Sequence, residues 1–274
     1  MSMTWLITGA SSGIGRQLAE RLLQRGDRVA ATARRIHTLD DLAAAYRDSL
    51  WAAKLDVTDT VEVRSVVDRA FADLGRIDVI VSNAGYAVVG AAEEASDEQV
   101  RHIIDTNLVG SIALIRTAIP HLRLQGGGRV LQVSSEGGQT VYPGFSLYHA
   151  TKWGIEGFVE TLAKDLAPFG ITFTLVEPGP TATNFGASAV RTGAMAVYEG
   201  TPAGDMRRGI NAGGVTVTGD ASKVVERIVE MIHAGTAPLR LTLGASAYDR
   251  IHAALEQRLA ALEAQQDIAR SVER

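Results

Sequence analysis

Short apolar runs alternate along the chain with segments of helical period, and that alternation leaves few folds open. The runs at 4–8, 28–32, 51–55, 78–82, 129–134, 171–177 and 239–243 have the length and flanking residues of strands. Between them, apolar residues recur at spacings near three and four, as in Ile14, Leu18 and Leu22 or Val61, Val66, Ala70 and Leu74. Repeated βα units of this kind predict an α/β fold, a Rossmann-like doubly wound parallel sheet of about seven strands with helices on both faces. No Pro/Ser-rich linker, repeat or low-complexity tract interrupts the pattern, so residues 1–274 read as a single domain.

Two stretches break the alternation. Residues 184–217 are rich in Gly, Ala and Thr with poor periodicity, and they follow the sixth strand, so they are expected near the strand carboxyl ends as a mobile lid over a substrate. In 248–274, Ile251, Leu255, Leu259 and Leu262 form one stripe of a C-terminal helix, suited to packing on the body or on another subunit.

Composition narrows the partners. With 46% hydrophobic and 21% charged residues among 274, disorder is excluded as the main state. The 31 acidic residues outnumber 27 basic ones, a formal charge of −4, so there is no bulk positive field for nucleic acid. The absence of cysteine removes disulfides, thiolate metal sites and a cysteine nucleophile, and no metal site is expected. Because Thr4 already opens the first strand, no room is left for a presequence, and no window approaches the roughly 18 uninterrupted apolar residues of a membrane span. A cytoplasmic protein without a membrane partner is the expectation.

Where the first strand passes into the first helix stands Thr8-Gly9-Ala10-Ser11-Ser12-Gly13-Ile14-Gly15. Glycines there let the backbone turn sharply and approach a pyrophosphate, whose charge the helix start favours. A plain strand-to-helix turn is the alternative. The second strand ends at Thr32-Ala33-Arg34-Arg35, the place where such folds choose between a ribose hydroxyl and a 2′-phosphate. An acidic residue would suit NAD; guanidinium groups favour NADP, unless Arg34 and Arg35 are only a solvated loop end. Asp56, just after the third strand, reaches an adenine amino group or caps its loop. Asn83-Ala84-Gly85 after the fourth strand leaves space at the carboxyl ends, or is an ordinary turn.

Tyr148 and Lys152 stand four apart at the start of an apparent helix, on one face. A tyrosine is a poor base near neutral pH, but an adjacent ammonium and a cationic nicotinamide stabilise its phenolate. Ser134 and Ser135 end the fifth strand, where alternation sends one of them toward the cleft; strand-end capping is the competing account. Asn107 sits mid-helix, a position that more often faces solvent.

Taken together, these elements resemble the short-chain dehydrogenase/reductase family over Thr8 to Thr183, about two thirds of the chain. The resemblance implies that Ser135, not Ser134, orients a carbonyl, that Tyr148 is the acid/base, and that Lys152 lowers its pKa and binds the nicotinamide ribose. It implies that Asn107 holds a water linking Lys152 to a proton relay. It gives the cofactor Gly9, Ser11, Ser12, Gly13, Ile14, Gly15, Arg34, Arg35, Asp56, Val57, Asn83, Ala84, Gly85, Tyr148, Lys152, Pro178, Gly179, Thr181 and Thr183, the last near the carboxamide. An arginine at the Arg34 position is what the family's NADP-preferring members carry.

The expected reaction is hydride transfer between NADP(H) and a ketone, aldehyde or alcohol, in a pocket framed by Ala87, Val88, Tyr142 and Phe145. A cofactor-sensing module without chemistry, or an epimerase or dehydratase on the same scaffold, remain the alternatives. Helices around 108–124 and 148–166 suit a homodimer or homotetramer, although burial in a monomer explains the same residues. Glu136 departs from the family pattern: it is polar where a small or apolar residue is expected, and either shapes the pocket or faces water.

Overall fold

Thr4–Thr8 (β1) is buried at every position, as a strand covered by helices on both faces must be. In the computed structural model, which describes residues 2–214, 216–236 and 238–273, β1 leads through Gly13–Gln24 (α1) to Arg28–Ala33 (β2). Asp40–Ala45 (α2), Leu50–Lys54 (β3), Thr60–Leu74 (α3) and Val79–Ser82 (β4) follow. After the two-residue strand Val88–Val89 (β5) come Asp97–Ile104 (α4), Gly110–Leu124 (α5), Gly128–Val133 (β6), Ser146–Leu166 (α6) and Ile171–Pro178 (β7). The last third holds Phe185–Ser188 (α7), Val190–Arg191 (β8), Pro202–Asn211 (α8), Ala221–His233 (α9), Arg240–Leu243 (β9), Ala245–Glu263 (α10) and Gln266–Arg270 (α11).

The main sheet has seven strands in the order β3-β2-β1-β4-β6-β7-β9, all paired in parallel. Each strand expected from the sequence lies within two residues of its place. The order reverses between β1 and β4, and open sheets of this type bind ligands in the crevice beyond the carboxyl ends at such a point. Alternation along β1 divides the core: Trp5 and Ile7 face Leu18, Leu22, Val225 and Ile228 of α1 and α9. Leu6 faces the opposite layer, where Val63, Leu114, Ile115, Ile155 and Val159 come from α3, α5 and α6.

Residues Asp97–Leu124 form one helix of 28 residues, long and apolar enough by composition alone to cross a bilayer. Leu114, Ile115, Ala118 and Leu122 of this helix are nevertheless buried in the sheet's own core. Its middle, Asp105–Val109, is a turn of π-helix and carries Asn107.

Segment 184–217, of which Val215 lies outside the described residues, contains more regular structure than its periodicity predicts. β8 pairs in parallel with β5, Val88 opposite Val190, making a second sheet of two strands. Two-residue strands carry too little alternation to be read in advance. Glu94 holds this segment to the body: its buried carboxylate accepts from Ala91 N–H (2.8 Å), Met195 N–H (2.9 Å), Thr192 Oγ1 (3.1 Å) and Arg207 (2.6 Å) of α8. The C-terminal helix starts at Ala245, earlier than expected, and is two helices, α10 and α11; Arg274 lies outside the described residues. Of its stripe, Ile251 is buried while Leu255, Leu259 and Leu262 are exposed.

Burial alone would push the Glu94 carboxyl up, but the hydrogen bonds from Met195, Arg207, Ala91 and Thr192 hold it down, from the ordinary 4.5 to about 2. A carboxyl lowered on folding stabilises above its unfolded pKa, and that stability is lost as pH falls through the folded one. Glu94→Gln should lower Tm by roughly 5–10 °C at neutral pH. Between pH 4.5 and 2 its Tm should fall less steeply than the wild type's, as measured by thermal scans at each pH.

Candidate active site

The glycine turn after β1 is built by close approach. Gly9 and Gly13 have φ of +68° and +59°, which favours glycine. A Cβ on Gly15 would lie 2.4 Å from Asn83 Nδ2 and 2.7 Å from Gly9 O, so the first turn of α1 is pressed against the end of β4. Asn83 is the brace: its Nδ2 donates to Thr8 O (2.9 Å) and Gly9 O (3.2 Å), while its N–H and that of Ala84 donate to Thr8 Oγ1. It therefore shapes the turn as well as bordering the cleft. Ser12 N-caps α1 without a side-chain cap bond, and no acidic residue occupies the first turn, so the helix start presents its N–H groups to the cleft.

A single cleft of about 2060 Å³ runs along the strand carboxyl ends, bordered by Gly9, Ser11, Ser12, Gly13, Ile14, Arg34, Arg35, Asp56, Val57, Asn83, Ala84, Gly85, Ser135, Tyr148, Lys152, Pro178, Gly179, Thr181 and Thr183. Gly15 and Asn107 do not border it. Gly15 lies beneath Asn83, and Asn107 lies behind the wall, where its side-chain amide is spent on Tyr86 O (2.8 Å), Thr151 Oγ1 (3.2 Å) and Tyr86 N–H (3.0 Å). Both donors of that amide are committed, so any water it held would have to use another of its atoms. Of the expected pocket frame, Ala87, Tyr142 and Phe145 border the cleft, whereas Val89 does so in place of Val88.

At one end of the cleft Arg34 and Arg35 are exposed and make no ion pair among the described residues. Asp56 caps its own loop through Thr58 N–H (3.0 Å) and Thr58 Oγ1 (2.8 Å). Burial raises its carboxyl, but these bonds and the Arg34 charge bring it below the ordinary value. The hydroxyl of Thr106, beside this end, is buried without a hydrogen-bond partner. Tyr86 and His102, which the sequence did not suggest, also border this end, joined by a 2.7 Å hydrogen bond between Tyr86 Oη and His102 Nδ1.

At the other end, β6 and α6 bring the remaining groups together. Ser135 Oγ accepts from Gly137 N–H at 3.1 Å, fixing the turn after β6. Lys152 Nζ donates to Val133 O at 3.0 Å and lies 5.6 Å from the centre of the Tyr148 ring. Burial pushes the Tyr148 phenol up to about 12; Ser135 pulls it down, whereas the Glu136 and Glu156 charges push it further up. Burial pushes Lys152 down to about 8, opposed by Glu156. The protein's own groups thus hold the phenol above its ordinary value, not below it as proximity to Lys152 suggests. His149 Nδ1 donates to Gly137 O (2.8 Å) and its Nε2 accepts from Tyr142 N–H (3.1 Å), a pairing that needs the neutral ring. Burial lowers its pKa accordingly.

Glu136 does not face water. It is buried beside Ser135 and pairs with Arg250 of α10 at 2.6 Å, so the C-terminal helix completes this end of the cleft. A pair separated by 114 residues leaves no trace in local spacing.

Residues 3–193 match the family model described as short chain dehydrogenase. The chain is similar to oxidoreductase BOA17 of Botryotinia fuckeliana, 33% identical over 91% of each chain. It is also similar to human 17-beta-hydroxysteroid dehydrogenase type 1, 38% identical over 66% of this chain and 57% of that one. A solved short-chain dehydrogenase from Streptomyces avermitilis superposes with a TM-score of 0.91 at 39% identity, covering 99% of this chain and 98% of that one. ElxO, solved with NADP bound, shares the fold at a TM-score of 0.75 and 23% identity, over 91% of this chain and 100% of that one. A matched family model, a relative aligned over 91% of each chain and a solved structure of the same seven-stranded build agree: the chain belongs to the short-chain dehydrogenase family of NAD(P)-dependent oxidoreductases.

Proposed function

We propose that the protein interconverts a small-molecule carbonyl, a ketone or aldehyde, and the corresponding alcohol with NADP(H), and that Tyr148 carries the proton. The observation behind this reading is the convergence of Ser135, Tyr148 and Lys152 on one end of a cleft whose other end is a glycine turn flanked by two exposed arginines, Arg34 and Arg35. The residues present fit a dinucleotide: Gly9 and Gly13, at positive φ, bring bare backbone to the cleft, and the start of α1 beside them lacks an acidic residue that would repel a pyrophosphate. Structures of this fold have been solved with NADP and with NAD. The preference for NADP rests on Arg34 and Arg35, which offer forked, permanently charged donors to a 2′-phosphate.

The bound nicotinamide supplies or accepts the hydride. The chain's part is orientation and proton movement. Ser135 and Tyr148 present hydroxyls to the substrate oxygen, and the Tyr148 phenol, protonated at neutral pH, delivers its proton as alkoxide charge develops. Lys152, fixed by Val133 O, brings positive charge to the ring face and stabilises the phenolate left behind. Asn107 locks the π turn to Tyr86 and to Thr151, the residue before Lys152, which holds α6 in place. Ala87, Val89, Tyr142, Phe145 and Phe185 line an apolar pocket for the rest of the substrate, with 184–217 as its lid. A cytoplasmic homodimer or homotetramer belongs to the same reading, supported by Val109 and Trp153, exposed on the helices that frame the site.

A panel of ketones, aldehydes and alcohols assayed with NADPH, NADP, NADH and NAD tests the reading; stoichiometric oxidation of NADPH supports it, and regeneration of the cofactor points instead to epimerisation. Tyr148→Phe should lower turnover by about 10³-fold while NADPH binding, followed by fluorescence titration, survives. Near-normal turnover in that variant would overturn the assignment. Arg34→Ala should weaken NADPH binding by about tenfold and leave NADH binding close to unchanged, which the same titration reads.

A further inference from the structure

Behind Lys152, on the side away from the cleft, lies a buried set of charges that the proposed reaction does not use. Glu156 follows Tyr148 and Lys152 by successive steps of four residues on α6, so the three form one column on the helix face. Its side chain is buried, and both carboxylate oxygens take donors: Oε1 accepts from Ser134 Oγ at 2.5 Å, and Oε2 from Arg240 of β9 at 2.5 Å. Arg240 also pairs with Glu177 of β7 and Glu160 of α6. Glu177 in turn accepts from Gln139 (2.7 Å) and Thr242 (3.0 Å). Room for Glu156 is made by Gly138, where a Cβ would stand 1.7 Å from Oε1.

We infer that Glu156 is a positioning residue that keeps Lys152 in its ammonium form and sets the upper pH limit of the reaction, a role that rests on the reaction proposed above for Tyr148 and Lys152. The groups around the column leave the task to Glu156. Facing it are Arg240 from β9, Glu177 from β7, and Ser134 from the end of β6. On α6 itself are Tyr148, Lys152 and Glu160, while the turn after β6 contributes Glu136, which bears on Tyr148 and is paired to Arg250. The π turn presents the neutral Asn107. Among the described residues, the hydrogen-bond partner of Lys152 Nζ is a carbonyl, Val133 O, which carries no charge to offset burial. A carboxylate one helical turn away provides that offset. Burial pushes the Glu156 carboxyl above its ordinary value, and the Ser134 hydroxyl and Arg240 guanidinium, one donor to each oxygen, pull against that by favouring the carboxylate. By holding Ser134 as well, Glu156 fixes the strand end from which Ser135 projects, so one side chain ties both halves of the site.

The test needs no substrate. The chain has 4 lysines, Lys54, Lys152, Lys164 and Lys223, so side-chain NMR of the ¹⁵N-labelled full chain follows Lys152 alone during a pH titration. In the wild type its midpoint should stand near 8. Glu156→Gln, which keeps the shape, should lower that midpoint by about one pH unit, and Glu156→Asp, which keeps the charge, should restore most of it. If Glu156→Gln fails to fold, the double variant Glu156→Ser/Gly138→Ala removes the carboxylate, refills its space and leaves Arg240 with Glu177 and Glu160, and it should show the same downward shift. A folded variant that lacks the carboxylate yet titrates Lys152 at the wild-type midpoint overturns the inference, and a lowered Tm with an unmoved midpoint shows a purely structural role. With a substrate in hand, the alkaline limb of kcat should move down with the midpoint. Should Tyr148→Phe retain turnover, the proposed reaction fails, while the lysine titration still decides whether Glu156 governs Lys152.

Discussion

The hydrogen bonds from Asn83 to Thr8 O and Gly9 O join the carboxyl ends of β1 and β4 at the place where the sheet reverses its order. Without them the chain leaving β1 would have no reason to turn under the start of α1, since Gly9 and Gly13 permit many conformations besides the one adopted. The brace converts glycine's freedom into a fixed turn, and the direction of α1, and with it the orientation of its N–H groups, follows. Gly15 is the cost of that arrangement: the space its side chain would take is occupied by the bracing amide.

A second constraint governs the opposite end. The 21-residue helix α6 carries Tyr148, Lys152 and Glu156 in one line, and its place is set from both sides, by the core contacts of Ile155 and Val159 and by the polar ties to Asn107, Val133 and Ser134. Burying three ionisable groups in a row is unfavourable unless each meets a partner. Here Lys152 meets the Val133 carbonyl, and Glu156 meets the Ser134 hydroxyl and the Arg240 guanidinium, partners drawn from the ends of two strands, β6 and β9. The electrostatics of the site are thus a property of the sheet as much as of the helix.

Legibility in the sequence follows the range of the interactions. All seven main strands and the column of Tyr148 and Lys152 are encoded in spacings of two, three or four residues, and they can be read directly. The glycine turn is legible because steric demands leave few residue types able to occupy it. What escapes is long range or too short to be periodic: the β5–β8 pairing of two residues each, the Glu94–Arg207 pair across 113 positions, and the burial of Glu136 against Arg250. Asn107 and Gly15 were identifiable by motif, yet their side of the wall was not, because a motif gives neighbours along the chain and not the direction of a cleft.

Gly138 and Glu156 occupy the same small volume from opposite sides. Neither position is free to drift alone: a methyl group at 138 would evict the carboxylate from beside Ser134, whereas a shorter residue at 156 would leave a hole that an alanine at 138 fills. Relatives of this chain should therefore vary at the two positions in step, with small-plus-acidic and larger-plus-short as the permitted combinations. In those of the second kind, Arg240 would lose one of its three carboxylate partners.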